Sequence, residues 1–228
     1  MLETLHSILR PVADAVTFVL LHLHDLGAPW PLAIVGLVVL ARTLLLPLFL
    51  AQQRSVVRAA ALRPQVLAVQ QRHRSDPAGR RAMQEEVAAL HRDAGVNPLG
   101  GCLPGLLQSP VFLALTLTLQ SGATLAAFGA ATLAGAPLSG VLTHGGDPAT
   151  VLVAGFLLLA IAALQVVTLR AGTSGVATPT ALLVVLPVVV VVSAAHFPIG
   201  VLVYWAASGA WSAGQQLLAR ALLRRTPA

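Results

Sequence analysis

The chain has 228 residues, of which 57% are hydrophobic and only 10% charged. A soluble domain carries about 25% charged residues, so too few polar groups are present to face water all round, and lipid must be the solvent for much of this chain. The formal charge of +6 comes from fourteen arginines and no lysine, and the one cysteine, Cys102, excludes an internal disulfide.

Residues 1–29 form an extracytoplasmic amphipathic helix in this reading. Leu2, Leu5, Leu9, Val12, Val16, Val19 and Leu23 repeat at steps of three and four, and Glu3, His6, Arg10 and Asp14 take the other face. Such a helix lies in the membrane surface, and Pro11 is expected to break or kink it. A cleaved signal peptide is the alternative. It would want a longer apolar core, no acids at the front and a small-x-small site, and the match is poor.

Five apolar stretches follow that can cross a bilayer, which takes about 20 residues. They are 30–51, 98–121, 149–169, the short 180–195, and 197–219. Pro187 and Pro198 interrupt the last two, which membrane bundles tolerate. The fold class is therefore an all-α membrane protein, a five-helix bundle preceded by the interfacial helix.

The stretch 52–97 is polar. Leu62, Val66 and Val69 make one narrow apolar stripe, and Met83, Val87 and Leu90 make another. That pattern predicts a cytoplasmic helical hairpin with the seams facing each other. Asp76-Pro77 reads as the start of its second helix, Gly95 as its stop and Asn97-Pro98 as the turn after it. Pro64 marks the start of the first helix or a kink below the first span.

Arginine placement gives the orientation. Twelve lie in 52–97, in the 170–179 loop and in the 220–228 tail, whereas the opposite side (1–29 and the 122–148 loop) holds only Arg10. This bias puts the N-terminus outside and the C-terminus in the cytoplasm. It also makes the positive charge chiefly a topology signal, with contact to ribosomal RNA or anionic lipid as secondary uses and no DNA partner.

Arg42 is the exception, because it falls inside the first span. Twelve residues separate it from Trp30 and ten from Gln52, roughly 18 Å and 15 Å of helix. An arginine at that depth costs about 3 kcal/mol on insertion scales and cannot deprotonate. None of the eight acids lies within a span. Water, neutral polar groups or a visiting anion must satisfy it. Snorkelling is the alternative, but a reach of about 6–7 Å falls short from mid-helix. Neutral polar groups occur at helical spacing: Gln108, Phe112 and Thr116 in the second span, and Tyr204, Ser208, Ser212 and Gln215 in the fifth. Either stripe alone could be interhelical packing; both together with Arg42 predict a hydrophilic groove.

The same residues resemble a known pattern. "NPLGGC" at Asn97–Cys102 and "LPGLLQSPVFLAL" at Leu103–Leu115 look like the hairpin exit and second core span of the YidC family of membrane protein insertases. "FPIGVLVYW" at Phe197–Trp205 with Gln215-Gln216 resembles its last span, "LARTLLLPL" at Leu40–Leu48 its first, and "LRPQV" at Leu62–Val66 its hairpin. The blocks cover residues 30–220. The resemblance implies an insertase of the bacterial plasma membrane that moves nascent transmembrane segments into lipid. Its partners would be ribosomes, the Sec translocon and membrane lipids, and its type the short Gram-positive or actinobacterial one. Arg42 falls on the family's groove arginine, Gln108 would line the groove, and Phe112, Tyr204 and Trp205 would touch the passing helix. Two departures weaken tail-mediated ribosome binding: residues 170–179 lack the family's Met- and Gln-rich stretch, and the C-terminal tail is brief.

Two rival classes remain. A transporter or channel would usually carry intramembrane acids, and none is here. An intramembrane serine protease would need Ser208 near His196, which is about 18 Å away along a helix, and no G-x-S-x-G surrounds Ser208. No metal ligand set, nucleophile, nucleotide loop or cofactor motif is assigned.

Overall fold

A computed structural model describes residues 2–73, 79–95, 113–114, 131–144, 147–172 and 180–225. The chain forms two compact units, one of Met1–Leu44 with Gln108–Ala228 and one of Leu45–Leu107.

In the first unit, α1 spans Leu2–Asp25 and runs through Pro11 without a break. Pro11 is exposed, and the helix continues past it, so the expected break does not occur. Val16 and Leu20 are buried, and Val12, Val19 and Leu23 pack on the same core. This stripe faces α2 (Trp30–Leu44), while Phe18 and Leu21 stay exposed.

Helix α2 buries Trp30, Ala33, Ile34, Leu37 and Val38, the i, i+3, i+4, i+7 face of an amphipathic helix. It stops at Leu44, short of the expected end at 51. The cause lies at Pro47, the second residue of the next helix, preceded by Leu45 at φ −85° and ψ −2°. A proline has no N–H to continue the ladder and its ring clashes one turn back.

The second expected span, 98–121, lies outside the described residues apart from helical Leu113 and Ala114. The third is α5 (Pro148–Gly172; α3, Leu46–Arg72, and α4, Arg80–Asp93, belong to the second unit). Its stretch Pro148–Ala171 has 24 residues at a mean hydropathy of 2.5, long and apolar enough to cross a membrane. Ala154, Leu157, Leu158 and Ile161 are buried, whereas Leu152, Phe156 and Leu159 are 73%, 71% and 73% exposed. So much bare apolar surface on one face is what lipid contact requires.

Helix α6 (Thr180–Ala194) carries Pro187 internally and exposes Val184, Val185, Val188, Val189 and Val192. Helix α7 (Ile199–Arg225) begins directly after Pro198 and continues six residues into the expected tail. Pro198 therefore precedes the last helix rather than interrupting it. Ile199, Val201, Leu202, Val203 and Tyr204 are all buried, so the start of α7 is surrounded on every side. It packs most extensively on α5 and then on α2.

Residues 131–144 supply the surrounding. Strands β1 (Thr132–Leu133) and β2 (Ala136–Pro137) pair antiparallel through a two-residue turn, with Ala134 at φ 49° and Gly135 at φ 87°. Two positive φ values in sequence define a type I′ turn. The ribbon is clamped to α7: Gly140 and Leu138 carbonyls accept from the Ile199 and Gly200 N–H groups, both at 2.9 Å. A Cβ on Gly140 would come within 3.0 Å of the Pro137 carbonyl, so the close approach requires glycine. Next to the ribbon, the Asp147 carboxylate caps α5 by accepting from the Thr150 N–H at 3.0 Å.

The second unit is the hairpin. Helix α3 (Leu46–Arg72) starts well before Pro64 and passes through it. Pro64 itself is exposed, as are Ala61, Arg63 and Gln65. Asp76, Pro77, Asn97 and Pro98 lie outside the described residues, and α4 (Arg80–Asp93) begins after Gly79. Gly95 follows it at φ 62°, a left-handed stop. The two helices pack together with Val69 buried between them, and Glu86 accepts from Arg72 at 3.1 Å and contacts His73 at 3.2 Å. Beside this contact Met83, Val87 and Ala88 line a groove of about 470 Å³.

Two outcomes test this fold. Ala134 occupies a left-handed position that costs a non-glycine residue about 1–2 kcal/mol and that asparagine tolerates. Ala134→Asn, which makes an Asn-Gly turn, is expected to raise the unfolding temperature in detergent. The bonds from Thr150, its side chain first and its backbone second, hold Asp147 below its ordinary value of 3.8. The cap's contribution is therefore complete above that value and is lost as pH falls through the lowered one. Melting of the wild type should approach that of Asp147→Ala only in that acidic range.

Candidate functional site

The last turn of α2 places Arg42 against the middle of α7. Its Nη2 donates to the Ser208 hydroxyl at 2.7 Å, short enough for a charge-assisted bond. Ser208 is held in turn by its helix, since the Ser212 hydroxyl donates to the Ser208 carbonyl at 2.9 Å. Tyr204, one turn before Ser208 and only 3% exposed, lies within electrostatic reach of the guanidinium. Arg42 itself is half-buried. Among the described residues no carboxylate pairs with it. The guanidinium is anchored by a neutral group and keeps its full positive charge.

Close helix packing permits this. Gly209 lies with its Cβ position 3.4 Å from the Leu164 Cβ of α5, so α7 approaches α5 on one side while Ser208 faces α2 on the other. The ring of Trp205 tilts at 42° against Phe197, with centroids 5.7 Å apart, and is half-buried. Gln215 is half-buried on the stripe that Tyr204 and Ser208 begin. The structure thus brings Arg42, Tyr204, Ser208 and Ser212 together and sets Trp205 and Gln215 on the same helix. Gln108 and Phe112 lie outside the described residues.

One residue on this face escaped the sequence reading. Trp211 follows Ser208 by three positions and precedes Gln215 by four, so it belongs to the same stripe, and its Nε1 is buried with no acceptor. The polar pattern passed over it because tryptophan counts as apolar. The signal was an indole N–H at helical spacing from Ser208 and Gln215. The serine protease alternative fares differently: His196 directs Nδ1 to the Val192 carbonyl at 2.9 Å, and Ser208 accepts from Arg42.

Residues 22–225 match the family described as 60Kd inner membrane protein. This chain belongs to that family. Among its curated relatives, the membrane protein insertase YidC of Streptomyces avermitilis is 31% identical over 255 residues, covering 95% of this chain and 59% of the relative. That of Tropheryma whipplei strain Twist is 30% identical over 263 residues, covering 95% and 84%. An active YidC insertase crystal structure with its first transmembrane domain resolved superposes with a TM-score of 0.65 at 26% identity, covering 97% of this chain and 47% of that one. The chain therefore spans only part of the length of several proteins it matches. The 60Kd inner membrane protein family fits the observed lipid-facing helices, and its proteins belong to the bacterial inner membrane.

Ser208→Ala tests the anchor. It leaves Nη2 of Arg42 without its acceptor, at a cost of roughly 1–3 kcal/mol. Unfolding in detergent should show that loss, and Ser208→Thr, which keeps the hydroxyl, should recover most of it.

Proposed function

We propose that this chain is a membrane protein insertase and chaperone that moves nascent transmembrane segments from the cytoplasm into the bilayer through a hydrophilic groove containing Arg42. Its N-terminus lies outside and its C-terminus in the cytoplasm, and it works alone or beside the Sec translocon with clients fed by ribosomes. Arg42, Gln108, Phe112, Tyr204, Trp205, Ser208, Ser212 and Gln215 are the groove residues in this reading, with Phe112, Tyr204 and Trp205 contacting the passing helix. The names of the relatives support the activity.

One observation carries the mechanism: a half-buried guanidinium whose partner is the neutral hydroxyl of Ser208 at 2.7 Å. Had the partner been a carboxylate, the site's charge would be cancelled. With a hydroxyl it remains available to a short polar or acidic segment and lowers the cost of carrying that segment partway across lipid. The apolar segment that follows then leaves sideways and gains about 0.8 kcal/mol per buried CH₂. Twenty apolar residues gain far more than one short tail costs, so the step needs no nucleotide.

In proteoliposomes, Arg42→Ala should lower insertion of a client with an acidic translocated tail by about tenfold or more, the worth of a charge-assisted hydrogen bond. Arg42→Lys keeps the charge and a donor for Ser208 and should lose less. Protease protection of the tail gives the measurement. Wild-type insertion by Arg42→Ala would mean that another residue carries the groove.

A further inference from the structure

The hairpin unit carries an apolar surface that it does not close. The stripe Met83, Val87 and Leu90 was expected to seal against α3. Helix α4 does pack on α3, yet none of its residues is buried. Among the described residues of this unit, Val69 is the buried hydrophobic side chain. Two helices of this length remove too little surface from water to enclose a core, so one flank of the stripe covers Val69 and the other stays open.

The open flank has a definite shape. Met83, Val87 and Ala88 form the floor of the groove of about 470 Å³, with Gln70 of α3 on one side and Gln84, His91 and Arg92 of α4 on the other. That volume falls among ligand clefts, about 300–1,000 Å³. Met83 to Arg92 covers about 14 Å of helix, room for the anchors of a second helix laid alongside at i, i+3 or i+4, and i+7. The His91 ring is pinned, Nδ1 donating to the Val87 carbonyl at 2.7 Å, so it does not swing over the floor. Met83 adapts to irregular apolar side chains. Leu67, one turn before Gln70 on α3, is 46% exposed and extends the apolar surface.

Charge selects the occupant. Residues 45–107 hold eight arginines against four acids, a balance of +4. None of the groove's lining residues is acidic, and Glu86 is engaged by Arg72 and His73 on another face of α4. Arg81 and Arg92 are exposed and share one edge of α4, three turns apart, with Glu85 the acid between them. We propose that this groove docks an amphipathic helix of another protein, one whose apolar stripe is flanked by acidic side chains. The stripe fills the floor, and the acids meet Arg92 and Arg81, which sets orientation and salt dependence more than affinity. The chain's own C-terminal stretch is a poor occupant, because Arg220, Arg224 and Arg225 repeat the groove's charge. A nucleic acid has no use for a floor of Met83, Val87 and Ala88, and a bilayer surface is too flat to fill it. The proposal concerns the hairpin alone and stands apart from the groove of Arg42.

The probe is a synthetic peptide of about 18 residues, five turns of helix, with leucines at i, i+3, i+4 and i+7 and glutamates on both flanks. It is added to the full chain in phosphatidylcholine nanodiscs, with empty nanodiscs as the blank. The comparisons are the same peptide with lysines for glutamates, a scrambled peptide of the same composition, and a uridine oligonucleotide. The chain has two methionines, Met1 and Met83, so ¹³C-methyl labelling reads the groove floor directly and Met1 serves as the control. The glutamate peptide is expected to shift the Met83 resonance, to leave Met1 unmoved and to bind several-fold more tightly than the lysine peptide, with the difference shrinking as salt rises. Val87→Asp should weaken its binding about tenfold or more, the cost of a charge set against an apolar stripe. Arg92→Glu should weaken it about two- to fivefold; Arg92 is exposed, so this variant keeps the test decisive where Val87→Asp upsets the hairpin. No Met83 shift with the glutamate peptide overturns the proposal. So does equal binding of the lysine or scrambled peptide, or unchanged binding in both variants. A Met83 shift with the oligonucleotide but not the peptide, or with phosphatidylglycerol nanodiscs alone, overturns it in favour of RNA or of a lipid surface.

Discussion

The bond from Arg42 to Ser208 joins positions 166 apart in the chain, and most of what is distinctive in the bundle serves it. A permanent cation on a lipid-embedded helix needs a partner. A carboxylate would satisfy it most strongly but would also neutralise it. A hydroxyl fixes one nitrogen, leaves the charge intact and occupies only one of five donors. The hydroxyl must be held firmly enough to act as an anchor, and the bond from Ser212 to the Ser208 carbonyl ties that turn of α7 to the next one.

Helix α7 can present Ser208 so reliably because its first turn is fixed on all sides. Prolines 187 and 198 bracket the α6–α7 connection, and the N–H groups of Ile199 and Gly200, which a helix start would leave bare, are taken up by the ribbon 131–144. Gly140 lets the ribbon fold tightly on its own Pro137 carbonyl and against Thr150 of α5, and Gly209 sets α7 in contact with Leu164 of α5. Small residues at these contacts are how membrane helices gain packing when burial of apolar surface from water no longer drives association. The backbone N–H groups at the start of α7 are thus taken up, whereas nearer its middle Arg42 Nε and Trp211 Nε1 are buried without an acceptor.

Much of this was legible from residues alone, for reasons that can be named. The spans read as long apolar runs, and α5 and α6 appear within a few residues of their expected bounds, because lipid imposes a length that composition reveals directly. Arg42 was conspicuous because nothing in its span or any other could neutralise it, and Ser208 followed from its spacing with Tyr204 and Ser212. What sequence could not supply was geometry that depends on competing local effects. Pro47 ended α2 at Leu44, while Pro11 and Pro64, both exposed, ended nothing. The ribbon was invisible: Ala134 is a poor type I′ residue, and the pairing of Leu138 and Gly140 with Ile199 and Gly200 crosses some sixty positions with no pattern to announce it. Trp211 was missed because its chemistry is an N–H on a residue counted as apolar.

The two units meet charge in different ways. In the hairpin, charge is compensated on the surface: Glu86 meets Arg72 and His73 in partial exposure, where ion pairs contribute little and exchange freely with water. In the bundle Arg42 is compensated by none of the described carboxylates. The same residue type therefore does different work in the two units. On the hairpin surface an arginine meets a carboxylate in water. The arginine of α2 keeps its field because the groups the structure sets beside it, the Ser208 hydroxyl and the Tyr204 phenol, bring no opposing charge.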